Sequence, residues 1–412
     1  MSGPLSSKSN AWLAGVAGLG AVVTVAGVGT ARSLGRRGFD DPYRDEDFDL
    51  LETDRGSIVM TDDGVPLAVR EVGPSSAPLT VVFVHGFCLQ MASFHFQRRE
   101  LAARWGDNVR MVFYDQRGHG RSGAPAPASC TIRQLGDDLE TVLRVLVPKG
   151  NAVLVGHSMG GMTILAHAGR HPEQYGRRIV GVGLIASAAE GLSHTAIGEG
   201  LRNPALRVLR TAVHYAPRPA HHGRGAVKSL VGPVLQAASY GGQRVSPTLV
   251  KFSARMIHQT PVTTIVDFLR ALEEHDETAA LPIIAPLPSL VVCGDTDMLT
   301  PHTQSESMAA QLGASGHTEL ILVRESGHLV QLEHPGIVND GIDRLVRRST
   351  PTLFAAIKQR LRDQTGLCSM NREARRCRRC RTPWRSGKRS GAGSPPATSW
   401  CSAGRWGPER PH

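Results

Sequence analysis

Cysteine is scarce wherever a core could form. Only Cys88, Cys130 and Cys293 lie in the body of the chain, and three scattered thiols build no disulfide framework, which fits a reducing compartment. The other four, Cys368, Cys377, Cys380 and Cys401, sit in a C-terminal segment that lacks something else. After Met370 aliphatic side chains nearly vanish while Arg, Gly, Pro, Ser and Trp dominate, so residues 366–412 cannot bury a core and are expected to be a disordered basic tail. Their composition is that of GC-rich coding DNA read out of frame. Cys377 and Cys380 have C-x-x-C spacing, but no second such pair and no His pair follows, which argues against zinc. The body also lacks net charge. The chain carries +11 over 412 residues, yet the tail alone holds eleven Lys/Arg against two Glu. The basic balance belongs to the tail, and a nearly neutral body gives no reason to expect a nucleic-acid partner. There is no internal repeat.

Residues 11–31 are without charge, long enough to cross a bilayer as a helix, although Gly and Ala outnumber the strong hydrophobes. Small residues four apart, Ala14/Gly18 and Ala17/Ala21, suit close helix packing in a membrane. Arg32, Arg36, Arg37 and Arg44 follow this span and only Lys8 precedes it. The expectation is therefore a membrane-associated protein with one N-terminal span and a cytoplasmic catalytic body. Residues 1–54 thus read as an N-terminal segment ending in a charged linker (32–54), and residues 55–365 as the main domain.

Within that domain the pattern becomes strand-like. Ser57–Thr61 and Val65–Val72 flank Asp62-Asp63-Gly64, a turn signal. Leu79–Val84 and Val109–Tyr114 are short continuous apolar runs of the kind buried on both faces of a parallel sheet, and Ala152–Val155, Ile179–Ile185, Leu290–Cys293 and Glu319–Val323 read as further strands. Ile132–Leu146 has helical spacing. Alternation of strands and helices predicts an α/β fold, a mostly parallel sheet flanked by helices. From about 188 to 281 the strands stop, and an inserted helical cap is expected there.

One stretch carries chemistry. Gly156-His157-Ser158-Met159-Gly160 joins a strand to a helical segment, Met162–His171. G-x-S-x-G in that setting is a nucleophile elbow, whose tight turn exposes the serine hydroxyl and leaves no room for side chains at Gly156 and Gly160. The helix N-terminus that follows favours developing negative charge. A serine hydroxyl is a poor nucleophile at neutral pH and needs a base oriented by an acid. Asp297 and His328 each follow a strand, at the carboxyl ends where sites of open α/β sheets lie. Donors for a tetrahedral oxyanion are expected from the backbone N–H of Met159 and of Phe87, in the loop His85-Gly86-Phe87.

From Ser57 to Arg348 the chain resembles the α/β-hydrolase superfamily, as an esterase or lipase-like serine hydrolase with a cap. The matching motifs are HGF at 85–87, DQRGHGRS at 115–122, GHSMGG at 156–161, GDTDMLTP at 294–301 and SGH at 326–328. The resemblance implies Ser158 as nucleophile, His328 as base, Asp297 as its orienter, Phe87 and Met159 as oxyanion donors, and no metal or organic cofactor. Asp115, Arg117, Gly118 and Gly120 are implied to be structural. A single-glycine HGF in place of HGGG favours longer acyl groups. Cap tyrosines Tyr215 and Tyr240 would suit epoxide opening, but those relatives carry aspartate where this chain has Ser158. Asp295 is expected to be a turn residue, His157 to pack at the elbow, His85 to hold the oxyanion loop, and Cys88 to be a small buried hydrophobe. The expected activity is hydrolysis of a carboxylic ester or thioester, with a small-molecule or lipid-like acyl ester as partner. An acyltransferase or cofactor-free haloperoxidase or perhydrolase on the same triad is the alternative, and a catalytically silent binding module the third reading.

Overall fold

The apolar runs form strands close to where their patterns begin and end: β1 (Arg55–Met60), β2 (Pro66–Val72), β3 (Leu79–Val84), β4 (Val109–Tyr114), β5 (Asn151–His157), β6 (Ile179–Ile185), β7 (Ser289–Gly294) and β8 (Thr318–Val323). The computed structural model describes residues 41–190, 235–236, 238–241, 245–313 and 316–351. The expected span 11–31, much of the expected cap with Tyr215, and the tail 366–412 lie outside the described residues. Among the described residues no helix is long and apolar enough to cross a membrane.

The strands make one sheet in the order β1-β2-β4-β3-β5-β6-β7-β8. β2 runs antiparallel to both its neighbours, and every pair from β4 to β8 is parallel. The Asp62-Asp63-Gly64 signal is realised as the turn between β1 and β2, where Gly64 has a φ of 84°. β3, β4 and β7 are buried at every position, as their uninterrupted apolar sequences require.

Helices cover both faces. On one, α2 (Ile132–Leu146) and α3 (Met159–Arg170) pack Leu139, Val142, Leu143, Ile164 and Leu165 against the sheet. Thr131 starts α2 by accepting the N–H of Gln134 on its Oγ1. On the other, α1 (His95–Trp105) contributes Leu101 and Trp105, and α7 (Pro335–Ser349) contributes Val338, Ile342 and Leu345. Between β6 and β7 the described residues hold no strand but two amphipathic helices, α4 (Pro247–Gln259) and α5 (Val262–Glu273), and β7 leads through a loop into α6 (His302–Leu312).

The strand order positions the site. It reverses direction at β3, whose neighbours are β4 on one side and β5 on the other, so the connections after β3 and β5 diverge and leave a crevice at their carboxyl ends. Val84 and Gly156 are register partners, which sets His85-Gly86-Phe87 beside Ser158. Gly294 and Val323 are partners likewise, so the loops carrying Asp297 and His328 leave the sheet together.

Candidate active site

Four non-glycine residues among those described have a left-handed φ: Cys88 at 59°, Ser158 at 53°, Ala186 at 44° and Glu325 at 54°. They stand just past the carboxyl ends of β3, β5, β6 and β8. Strain of this kind persists only where surrounding structure enforces it, and here it is gathered on one rim of the sheet.

Ser158 sits between β5 and α3, and the helix starts at Met159, three residues earlier than its apolar spacing suggested. The Ser158 N–H donates to Ile185 O at 2.9 Å, and its carbonyl accepts from Gly161 N–H at 2.8 Å and from Ser187 Oγ at 2.8 Å. The glycines of the elbow are there for backbone contact. A Cβ on Gly160 would lie 1.9 Å from Val84 O, and one on Gly156 would lie 2.5 Å from Gly160 O. Gly86 brings the neighbouring loop against Ser158: a Cβ there would stand 3.0 Å from Ser158 Cβ. Phe87 is partly buried against a cluster of Cys88, Ile257 and Ile265, and Met159 is fully buried.

Asp297 and His328 are in direct contact. His328 Nδ1 lies 2.9 Å from Asp297 Oδ2 and 3.2 Å from Oδ1. The carboxylate also accepts the N–H groups of Leu299 (2.8 Å) and Thr300 (3.0 Å) and the hydroxyl of Thr300 (2.8 Å). Burial pushes the Asp297 carboxyl up, but the His328 charge and these hydrogen bonds outweigh it and hold the group below its ordinary value. An ionised carboxylate facing Nδ1 favours a proton there, so in the neutral ring the lone pair of His328 lies on Nε2. Ser158 joins this pair through its neighbour: His157 Nε2–H donates to the His328 carbonyl at 2.9 Å. Burial, then the His328 charge, lowers His157 to about 3, so its ring is neutral.

The other expectations can be placed as well. Asp295 does not reach His328; its N–H donates to Val323 O in the turn. Cys88 is buried and burial pushes its thiol far up, leaving it inert. His85 is buried and spans two loops, donating from Nδ1 to Gly86 O and accepting Gln116 N–H on Nε2. Arg117 is fully buried and forks onto Asp138 (2.6 Å to each oxygen) and Asp63 (2.8 and 2.9 Å). Tyr240 donates its hydroxyl to Leu249 O on α4 at 2.9 Å, a packing role.

Sequence reasoning missed several supports. Thr300 stands inside GDTDMLTP with no signal of its own. Glu333 carries no local signal, yet its carboxylate accepts Gly327 N–H at 2.7 Å and Ser326 Oγ at 3.2 Å, bracing the loop of His328. Gln116 ties the loop after β3 to α3, donating to His85 O at 2.6 Å and accepting from Thr163 Oγ1 at 2.8 Å. Among the described residues no group of three His, Cys, Asp or Glu could hold a metal ion.

Comparison with known proteins agrees with this architecture. A model of the alpha/beta hydrolase family matches residues 81–340. The bifunctional esterase/perhydrolase DCH of Acinetobacter calcoaceticus is 26% identical over 265 residues, which cover 63% of this chain and 88% of that protein. Biotin biosynthesis bifunctional protein BioHC of Teredinibacter turnerae is 27% identical over 276 residues, 66% of this chain but only 45% of that longer protein. Among solved structures, a thermophilic esterase from Thermogutta terrifontis superposes with a TM-score of 0.57 at 26% identity, covering 72% of this chain and 99% of that one.

Proposed function

The chain belongs to the alpha/beta hydrolase family, and from that premise we propose that it is a serine hydrolase cleaving a carboxylic ester or thioester through an acyl-enzyme. The observation that carries the reading is the buried Asp297–His328 contact, 2.9 Å from Nδ1 to Oδ2, on the same sheet rim as the strained Ser158. In this reading Ser158 Oγ attacks the substrate carbonyl carbon while His328 Nε2 takes its proton. Asp297 holds the ring and stabilises the imidazolium that forms. The N–H groups of Phe87 and Met159 receive the oxyanion, and His328 returns its proton to the leaving alcohol or thiol. A water deprotonated by the same ring then releases the acid. Names of two relatives, an esterase and an esterase/perhydrolase, support small ester substrates.

The test is labelling with a fluorophosphonate, on wild type and Ser158→Ala, followed by hydrolysis of p-nitrophenyl esters of increasing acyl length. Labelling and hydrolysis lost together in the variant support the assignment; a folded wild type that neither labels nor hydrolyses any ester refutes it. The relative that is also a perhydrolase gives one reason for a second arm, in which peroxide competes with water for the acyl group. Residues 11–31 are further proposed as a membrane span with the hydrolase body on the cytoplasmic side. Release of the full chain from membranes by alkaline carbonate would count against it.

A further inference from the structure

The loops that follow β3 and β4 exchange histidines. His85, from the first loop, accepts Gln116 N–H of the second on Nε2 at 2.9 Å, while its Nδ1–H donates to Gly86 O at 2.8 Å. His119, from the second loop, accepts Cys88 N–H of the first on Nε2 at 3.2 Å, while its Nδ1–H donates to Arg117 O at 3.0 Å. The rings stand 5.4 Å apart, edge to face. Asp115 adds a third tie, accepting Met91 N–H at 2.8 Å. The backbone from 85 to 91 is thus gripped from the neighbouring loop at residues 85, 88 and 91.

The grip at Cys88 matters most for chemistry. Cys88 directly follows Phe87 and has a φ of 59°, a conformation its side chain disfavours. Its buried N–H has its acceptor in His119 Nε2. Without that acceptor the N–H would be orphaned and the strained φ free to relax, swinging the Phe87–Cys88 peptide and with it, through the Phe87 Cα, the Gly86–Phe87 peptide that carries the Phe87 N–H. His119 is itself fully buried, and its ring meets Phe87 at 6.1 Å and Phe268 of α5 at 5.7 Å. Both its nitrogens are engaged with backbone, so it has nothing to offer a substrate.

Resting on the hydrolase reading above, we propose that His119 is a positioning residue for the oxyanion hole, holding the Phe87 amide in place through the Cys88 N–H. The neutral ring with its proton on Nδ1 is the only form that satisfies both partners, because Arg117 O needs a donor and Cys88 N–H an acceptor.

The test compares His119→Leu with His119→Gln in the full chain, using p-nitrophenyl butyrate for kcat and KM, fluorophosphonate titration to count competent sites, and the thermal midpoint. Leucine fills the space without an acceptor. It should lower kcat per titrated site about 10- to 100-fold with KM changed by less than about threefold, since a donor aimed at the oxyanion acts on the transition state. Glutamine, whose Oε1 reaches about where Nε2 stands, should restore kcat to within about fivefold of wild type. If His119→Leu does not fold, His119→Asn replaces it, because the shorter amide stops short of Cys88 and carries the same expected loss. Wild-type kcat in the acceptor-free variant overturns the proposal, and so does a glutamine variant as slow as leucine, which would mean packing alone. Inactivity of the wild type itself refutes the hydrolase reading, and this proposal with it; an active wild type with an unaffected His119→Leu refutes only the proposal.

Discussion

Lowering the pH from about 7.5 to about 5 adds protons that the folded chain has no place for. Burial holds His157 at about 3, His119 at about 4 and His275 at about 4, against an ordinary 6.5, and pushes His85 well down too. Their hydrogen bonds explain why protonation is resisted. A second proton on His85 or His119 would sit on Nε2, facing a backbone N–H, and one on His157 or His275 would sit on a buried Nδ1 that has no partner. With these folded-state values depressed, the unfolded chain binds more protons below 6.5. Stability is therefore complete above that value and is lost as the pH falls toward 3–4. At about pH 5 each histidine with a folded value of 3–4 costs roughly 2 kcal/mol. Asp115 opposes them. Burial raises it to about 6, so it takes a proton in the same window and returns roughly 1 kcal/mol. Asp138 and Glu277, also raised by burial, act in the same direction as Asp115, while the carboxylates held below their ordinary values respond only at lower pH. The three histidines near 3–4 less Asp115 account for a loss of about 4–5 kcal/mol, a large part of the stability of an ordinary domain, to which His85, His95 and His167, also lowered by burial, add. Urea unfolding at the two pH values, followed by circular dichroism, should show the midpoint fall by about 1–2 M. His275→Gln keeps an N–H for Ala188 O but cannot titrate, and it should remove roughly 2 kcal/mol of the loss. An unchanged midpoint at the lower pH, or a His275→Gln variant as acid-sensitive as wild type, refutes the reasoning.

Three substitutions probe the site and its frame. Ser158→Gly, freeing a φ of 53° at the elbow, should stabilise the fold by about 1 kcal/mol in urea unfolding while abolishing ester hydrolysis; a destabilised variant would contradict the strain argument. Asp297→Asn removes the charge facing Nδ1 and permits the wrong tautomer, so kcat for a p-nitrophenyl ester should fall about 10³- to 10⁴-fold with little change in KM, and a loss below about tenfold would count against Asp297 as orienter. Arg117→Leu strands the buried Asp138 carboxylate without its partner and should cost about 3–5 kcal/mol of stability, read from the same urea curves.

Much of this protein was legible in its linear pattern. Apolar runs bounded by polar turns marked inner strands such as β3, β4 and β7, because a strand buried on both faces tolerates little else, whereas the edge strands β1 and β8 are exposed or half-buried at most positions and do not share that reason; G-x-S-x-G marked the elbow because a Cβ at Gly156 or Gly160 collides with backbone. Asp297 and His328 could be named since each stands just past a strand in the order Ser, Asp, His. What no pattern showed was the start of α3 at Met159, since helical spacing detects burial and not the backbone turn at Ser158. Nor could the chain by itself identify Glu333 under the His328 loop, Thr300 against Asp297, or the clasp of His85 and His119. Those bonds join segments distant in the chain or single atoms whose direction depends on φ and χ, and neither is written in residue type. The residue types determined which chemistry was available and on which strands it would stand. The tertiary structure decided which of those strand ends came together: the reversal of strand order at β3 sets the loops after β3 and β5 face to face, and the pairing of β7 with β8 brings Asp297 to His328.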